Sequence, residues 1–377
     1  MKRGSNLIVF LGGFLLALLS PTTGRAAGNV VVGVNMVNPQ WASTEEQDET
    51  LAAMKAAGVR AIRCAVNPDE KGLDFARRAY AQGIAIELQV ALKYRPDAPT
   101  RPRLKEYPTM WSEHPLSYAD PDQFRAYFQP FLARLEKEGI VLAGMELGNE
   151  INGAGFNGDF TLPGEGRAFD INDLMNDPEG RRVAQGFLQY LKLLAVLKDI
   201  RDHSRLNQHT PIISAGMAGV VNSNYEKKIR VDAISVPATL NFMRAHGLDQ
   251  LVDAYGIHAY PPSSKPGKSK GAFKRSEYLE KDLAECQSAG SSSGMPCWVT
   301  EWGFSNKDTS CPPNDEGREI MIREVREIFR QYANQGRLGG LFYFAWSGGP
   351  HEKHMSPRSI YRCGMLTEAG RLALAPM

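Results

Sequence analysis

The chain has 377 residues, 43% of them hydrophobic and 23% charged, a balance that excludes a disordered, collagen-like or membrane-filling polypeptide. Its 44 basic and 42 acidic residues give a net charge of +2. With no basic stripe among them, nucleic acid is not an expected partner.

Residues 1–27 read as a signal peptide. Lys2 and Arg3 precede an apolar stretch from Leu7 to Leu19 that is too short to span a bilayer, and Arg25-Ala26-Ala27 supplies small residues for cleavage. Loss of Lys2, Arg3 and Arg25 leaves 41 basic against 42 acidic residues, a net of −1. The alternative is an uncleaved anchor. Residues 28–377 are expected to form one domain that is secreted or periplasmic, monomeric, and free of the membrane once the leader is removed. Export implies an oxidising compartment. Cys286 and Cys297 flank a Ser/Gly-rich turn and Cys311 and Cys363 lie in loops after two late strands, so each pair can bridge, while Cys64 reads as a buried free thiol.

Strand-like and helix-like segments then alternate. Val30–Met36 is a β-branched apolar run. Ser43-Thr44-Glu45-Glu46 is a capping box opening a helix that glycine stops at Gly58. Val59–Val66 is the second strand, Asp69–Gln82 a helix and Ile84–Leu92 the third strand. A proline-rich loop from Tyr94 to Tyr118 follows, then a helix capped by Asp120-Pro121 and ending at Gly139. Ile140 to Met145 runs into Glu146-Leu147-Gly148-Asn149-Glu150 as the fourth strand, and a second long loop extends to about Asp177. A helix covers about Glu179–His203, Pro211–Met217 is the fifth strand, and a helix lies near Ala238–His246. Asp253–Tyr260 is the sixth strand, Ser276–Gln287 a helix and Cys297–Gly303 the seventh strand. Glu316–Asn334 is a helix, Gly339–Trp346 the eighth strand, and Glu368–Leu374 a last short helix. Eight strand–helix units predict an α/β fold, a single (β/α)8 TIM barrel with long loops after strands 3 and 4. The competing architecture, an open doubly wound sheet, would show a phosphate loop after its first strand, and Val34-Asn35-Met36 offers none.

Polar residues collect at the strand ends, where such a barrel builds its active site: Asn35, Arg63, Asn149, Glu150, His258, Tyr260, Glu301, Trp302 and Trp346. Glu150 and Glu301 face one another across the predicted mouth. Two carboxylates converging on one cavity suit glycosidic bond cleavage, with retention or inversion set by their separation.

The motifs Asn149-Glu150, His258-Ala259-Tyr260-Pro261 and Thr300-Glu301-Trp302-Gly303, ending the fourth, sixth and seventh strands, resemble the clan of retaining (β/α)8 glycoside hydrolases, clan A. That clan includes the cellulase-like family 5, the β-xylosidase-like family 39 and the β-galactanase family 53. The resemblance implies that Glu150 is the acid/base and Glu301 the nucleophile. It further implies that Asn149 binds the sugar 2-hydroxyl, that Tyr260 and Arg63 support Glu301, that His258 lines the site and that Trp346 is a stacking floor. Asn35 and Trp302 join this set as substrate-binding positions. The implied substrate is a β-linked glycan, and neither a metal nor an organic cofactor is called for. Many relatives continue Asn-Glu-Pro; Asn149-Glu150-Ile151-Asn152 is closer to the galactanase-like pattern, whereas Thr300-Glu301-Trp302-Gly303 is closer to families 5 and 39. A barrel that binds glycan without cleaving it is the alternative.

Other signals lead elsewhere. Gly153–Gly158 fits G-x-G-x-x-G but opens no helix, and Asp170–Gly180 lacks calcium-loop spacing. Glu146 shares strand parity with Glu150 and is expected as a buried partner of Arg63. His351 and His354 have the spacing of a metal pair but read as a loop over the site. Trp111, Phe156 and Phe160 are either sugar platforms or packing.

Overall fold

The computed structural model describes residues 30–107, 110, 113–219, 227–263, 269–308, 310–347 and 357–377. The predicted leader, Trp111, His351 and His354 lie outside the described residues.

The strands in chain order are β1 (Val31–Asn35), β2 (Ala61–Cys64), β3 (Ala85–Val90), β4 (Gly144–Leu147), β5 (Ala168–Phe169), β6 (Ile212–Ile213), β7 (Met217–Ala218), β8 (Ala233–Ile234), β9 (Tyr255–Ala259), β10 (Cys297–Trp302), β11 (Leu338–Tyr343), β12 (Tyr361–Arg362) and β13 (Met365–Leu366). Nine of them make one sheet in the order β6-β4-β3-β2-β1-β11-β10-β9-β7, with every pairing parallel. The two ends of that order, β6 and β7, are pieces of one segment, and Ile213 also bridges Ala254 just before β9. The sheet therefore closes as eight staves, the predicted (β/α)8 barrel.

The fifth stave departs from the uninterrupted strand predicted over Pro211–Met217. Ser214-Ala215 step out of the ladder, Gly216 keeps an isolated bridge to Asn149, and the backbone donors of all three are met individually. Ser214 N–H donates to Ala254 O, Ala215 N–H to the Tyr190 hydroxyl and Gly216 N–H to Glu146 Oε1. The Tyr190 hydroxyl in turn donates to Leu147 O at 2.8 Å. A buried break in a ladder is stable only when each orphaned group finds a partner of this kind.

The helices are α1 (Thr44–Ala56), α2 (Glu70–Ala81), α3 (Pro121–Lys137), α4 (Ile171–Asn176), α5 (Pro178–Asp202), α6 (Val236–Ala245), α7 (Ser269–Asp282), α8 (Glu316–Asn334) and α9 (Glu368–Leu374). Their starts follow side-chain chemistry. Ser43 and Glu46 form the predicted capping box, Asp69 caps α2, and Asp120 and Asp177 cap α3 and α5 with proline at the first position. The acidic residues of Asp170–Gly180 are explained here: Asp170 caps α4 and Asp177 caps α5. Several boundaries differ from prediction. The fourth strand is regular only from Gly144, because Leu142 N–H is taken by the Asn207 side chain rather than by a strand. Helix α7 begins at Ser269, ahead of the predicted Ser276.

Inside the barrel, Trp298 and Phe342 stack at 5.9 Å and form an apolar floor with Ala61, Ile213 and Ala254. Rings of that size fit because the facing strands carry glycine. A Cβ at Gly340 would fall 2.5 Å from Trp298, and one at Gly144 would fall 2.7 Å from Ile213 and 3.2 Å from Trp298. The larger core lies between the sheet and the helices.

The loops after β3 and β4 are welded together. Arg101 donates to the carbonyls of Ala154, Asn157 and Phe160, Asn157 accepts from Leu116 N–H, and Asp159 accepts from the backbone and hydroxyl of Ser117. Strand β5 pairs with β8, which joins the second loop to the segment after the fifth stave. Cys286–Cys297 and Cys311–Cys363 are disulfides, both among the pairings the sequence left open, and Cys64 is a buried free thiol. Among the described residues no helix is long and apolar enough to cross a membrane.

Candidate active site

Above the apolar floor, the next interior layer is charged. Arg63 on β2 is 4% exposed and spends all five of its N–H donors on protein. Nε and Nη2 form a fork on Glu146 at 2.7 and 2.9 Å, Nη1 reaches Glu301 Oε1 at 2.7 Å and Asn35 Oδ1 at 2.9 Å, and Nη2 also reaches Asn149 Oδ1 at 2.9 Å. One guanidinium thus fixes side chains from β1, β4 and β10 and from the loop after β4. Glu146 is its buried partner, as its parity suggested.

Glu301 reaches this layer through an irregularity. Trp298 faces the interior, so strict alternation along β10 would turn Glu301 outward and Trp302 inward. The register shifts between Val299 and Glu301, and such a slip re-aims the side chains after it. Glu301 consequently enters the barrel mouth. Trp302 is fully buried on the outer side, edge-on to Phe329 of α8 and to Tyr343. This corrects its expected role in substrate binding: it is a packing residue.

Glu301 accepts from Arg63 on Oε1 and from the Tyr260 hydroxyl on Oε2 at 2.5 Å. Burial alone would raise its pKa. The charges of His258 and Arg63 and the Tyr260 hydrogen bond outweigh that and hold it below the ordinary glutamate value. Burial pushes the Tyr260 phenol well up, with Glu301 adding to the effect, so it remains a donor.

Glu150 stands at the start of the loop after β4 with a positive φ of 39°, a conformation that costs a non-glycine residue energy and needs enforcing. Its N–H is held by Gly216 O at 2.8 Å and its carbonyl by Gly153 N–H. Ile151 behind it is fully buried. Asn152 donates to Ala218 O and Ile234 O and accepts from Ala218 N–H. The Ile151-Asn152 pair thus performs a definite task, one buried in the core and the other tying the loop to β7 and β8. The side chain of Glu150 meets His258 Nδ1 at 2.8 Å. One carboxylate oxygen of Glu150 and one of Glu301 lie within 4.8 Å of each other, with His258 between them.

His258 is fully buried, and Gly216 makes room for it: a Cβ at 216 would strike His258 Nε2 and Thr300 Oγ1. Burial lowers its pKa, but Glu301 and Glu150 outweigh burial and raise it overall. Among the described residues, the trio Glu150, His258 and Glu301 is the one group of acidic, histidine and cysteine side chains close enough to hold an ion. Both oxygens of Glu301 are already taken by Arg63 and Tyr260, which suits a carboxylate held for reaction.

Asn35 is buried and fully engaged, its amide nitrogen donating to Thr300 O and Tyr343 O and its oxygen accepting from Arg63. It positions the layer instead of meeting substrate. Asn149 is half-buried, and among the described residues only its oxygen is engaged, by Arg63. Trp346, expected as the stacking floor, is buried and stacks at 4.6 Å on Tyr361. Among the described residues, Phe344 is a half-buried aromatic at the mouth, edge-on to Tyr260 at 6.3 Å. Strand β11 ends at Tyr343, three residues short of the predicted end at Trp346. Phe160 is buried against Phe169 and Phe156 is half-buried. Sequence reasoning also missed Glu87, which is fully buried beside Arg63; its pairing with Arg63 across neighbouring strands was the available signal.

No protein-family model matches the chain, and no curated protein sequence matches it. Solved structures do. The fold is similar to that of fungal β-1,4-galactanases (17% identity, TM-score 0.51, covering 91% of this chain and 93% of the other). It is similar to a β-glycosidase (12%, TM-score 0.52, 91% and 95%). It is also similar to an exo-β-1,4-mannosidase from an Opitutaceae bacterium (13%, TM-score 0.52, 93% of this chain and 59% of the other). At these identities the likeness is one of fold.

Proposed function

We propose that the chain is an exported retaining glycoside hydrolase that cleaves β-glycosidic bonds of a polysaccharide or oligosaccharide. The observation that carries this reading is the approach of the Glu150 and Glu301 carboxylates, with oxygens within 4.8 Å. That spacing suits direct attack by one carboxylate, whereas inversion needs a wider gap that admits water. The galactanase, β-glycosidase and mannosidase names of the similar folds point the same way.

In the proposed reaction, Glu150 enters protonated and gives its proton to the glycosidic oxygen as the C1–O bond breaks. Glu301, kept ionised by its surroundings, attacks C1 from the other face and forms a glycosyl ester. Glu150, now a carboxylate, takes a proton from water; the water oxygen bonds to C1 and Glu301 leaves. Two inversions give net retention. Proton transfer of this kind contributes about 10²–10⁴-fold in rate. Asn149 offers an amide donor to the hydroxyl beside the reacting carbon, and Phe344 offers an apolar surface at the mouth.

The test is a panel of β-linked polysaccharides, galactans and mannans included, assayed for released reducing ends with the wild type, Glu150→Gln and Glu301→Gln. Release by the wild type and its loss in both variants supports the reading. Glycan binding with no release, or release that survives either substitution, overturns it. Leader cleavage on export is checked by the N-terminus of the secreted chain.

A further inference from the structure

We propose that Glu87 is a positioning residue that holds a proton beneath the active site and donates it to Glu146, leaving Arg63 free to grip Glu301. The inference rests on the glycosidase reading for its consequence in catalysis but not for its chemistry.

Glu87, on β3, is fully buried, and neither of its oxygens accepts a hydrogen bond. Its Oε2 lies 3.5 Å from Arg63 Nε, yet Arg63 has no donor left: two go to Glu146 and one each to Glu301, Asn35 and Asn149. Glu146, by contrast, accepts two bonds from Arg63 and a third from Gly216 N–H. Glu87 Oε2 and Glu146 Oε2 converge on the same Arg63 Nε, at 3.5 and 2.7 Å. Two carboxyl groups crowded onto one nitrogen in a dry interior need a proton between them, and it belongs to the one that receives no other donor. The groups facing Glu87 are Arg63 and Cys64 from β2, Glu146 from β4 and Glu301 from β10. Burial is the largest influence on Glu87, Glu146 adds to it, and Arg63 opposes it without reversing the direction, so the carboxyl is held neutral. Were Glu87 ionised, it would compete with Glu301 for the same guanidinium.

Two readouts decide the matter. The first needs no substrate. The infrared difference spectrum of the wild type minus Glu87→Gln at neutral pH is expected to contain a protonated-carboxyl C=O band. Its absence overturns the proposal whether or not the protein is a glycosidase. The second uses whichever polysaccharide of the panel the wild type cleaves. Glu87→Gln keeps an N–H donor for Glu146, so its kcat and pH profile are expected to match the wild type. Glu87→Leu removes the donor, lets Glu146 and Arg63 shift, and is expected to raise the acidic limb of kcat/KM by roughly one unit. A Gln variant that folds but behaves like the Leu variant overturns the proposal. If Glu87→Leu does not fold, the Gln variant and the infrared band still decide.

Discussion

Arg63 and Glu301 meet at 2.7 Å although they are 238 residues apart in sequence, on β2 and β10. The contact is the junction of two tasks. On one side Arg63 is the buried counter-charge of Glu146; on the other it shapes the carboxylate assigned as nucleophile. A lysine has a single point of charge and cannot reproduce the fork.

Arg63→Lys is therefore expected to lower kcat/KM at least about 10²-fold and to cost about 3–5 kcal/mol of stability, because buried carboxylates lose donors. Steady-state kinetics and thermal melting check both effects together.

The pH dependence follows from the same contacts. Glu301 is held below its ordinary value, so it is ionised, and the protein gains from that ionisation, above the unfolded-state glutamate pKa; both activity and that stability are lost as pH falls through the lowered folded value. Tyr260→Phe removes one donor from Glu301. The acidic limb of kcat/KM should move up by roughly 0.5–1 unit, the worth of one hydrogen bond to a carboxylate. A limb that stays in place would remove Tyr260 from this role.

Gly216 tests the packing of the site. An added Cβ strikes His258 and Thr300, and overpacking of a tight interior costs about 1–3 kcal/mol. Gly216→Ala is expected to lose melting temperature on that scale and to lose most of its activity, since His258 lies between the two carboxylates.

Most of the architecture was legible in the sequence because a parallel barrel writes itself as apolar runs that end in polar residues. Asn149-Glu150, His258-Ala259-Tyr260 and Thr300-Glu301 all lie at such ends. What escaped has physical causes. A register slip in β10 leaves no compositional trace, so Trp302 at the strand end read as a substrate-binding residue. The broken fifth stave is signalled only by small residues, Ser214-Ala215-Gly216, and its repair depends on Tyr190 and Glu146 from elsewhere. Glu87 sits in Ala85-Ile86-Glu87-Leu88-Gln89-Val90, where the alternation reads as an ordinary half-exposed strand, whereas the face it marks is the barrel interior.

The aromatic residues separate packing from binding. Trp302→Ala empties a fully buried site and is expected to cost about 3–5 kcal/mol, seen as a large drop in melting temperature. Phe344→Ala, at the mouth, is expected to raise KM with the melting temperature little changed. The reverse pattern would return Trp302 to the substrate.

The most direct measurement is the stereochemistry of the first-formed product, followed by proton NMR of the anomeric signals during hydrolysis of a β-linked polysaccharide. Glu150 and Glu301, with carboxylate oxygens within 4.8 Å, predict the β-anomer first and the α-anomer only later by mutarotation. Initial appearance of the α-anomer would contradict direct attack by Glu301 and the double displacement built on it.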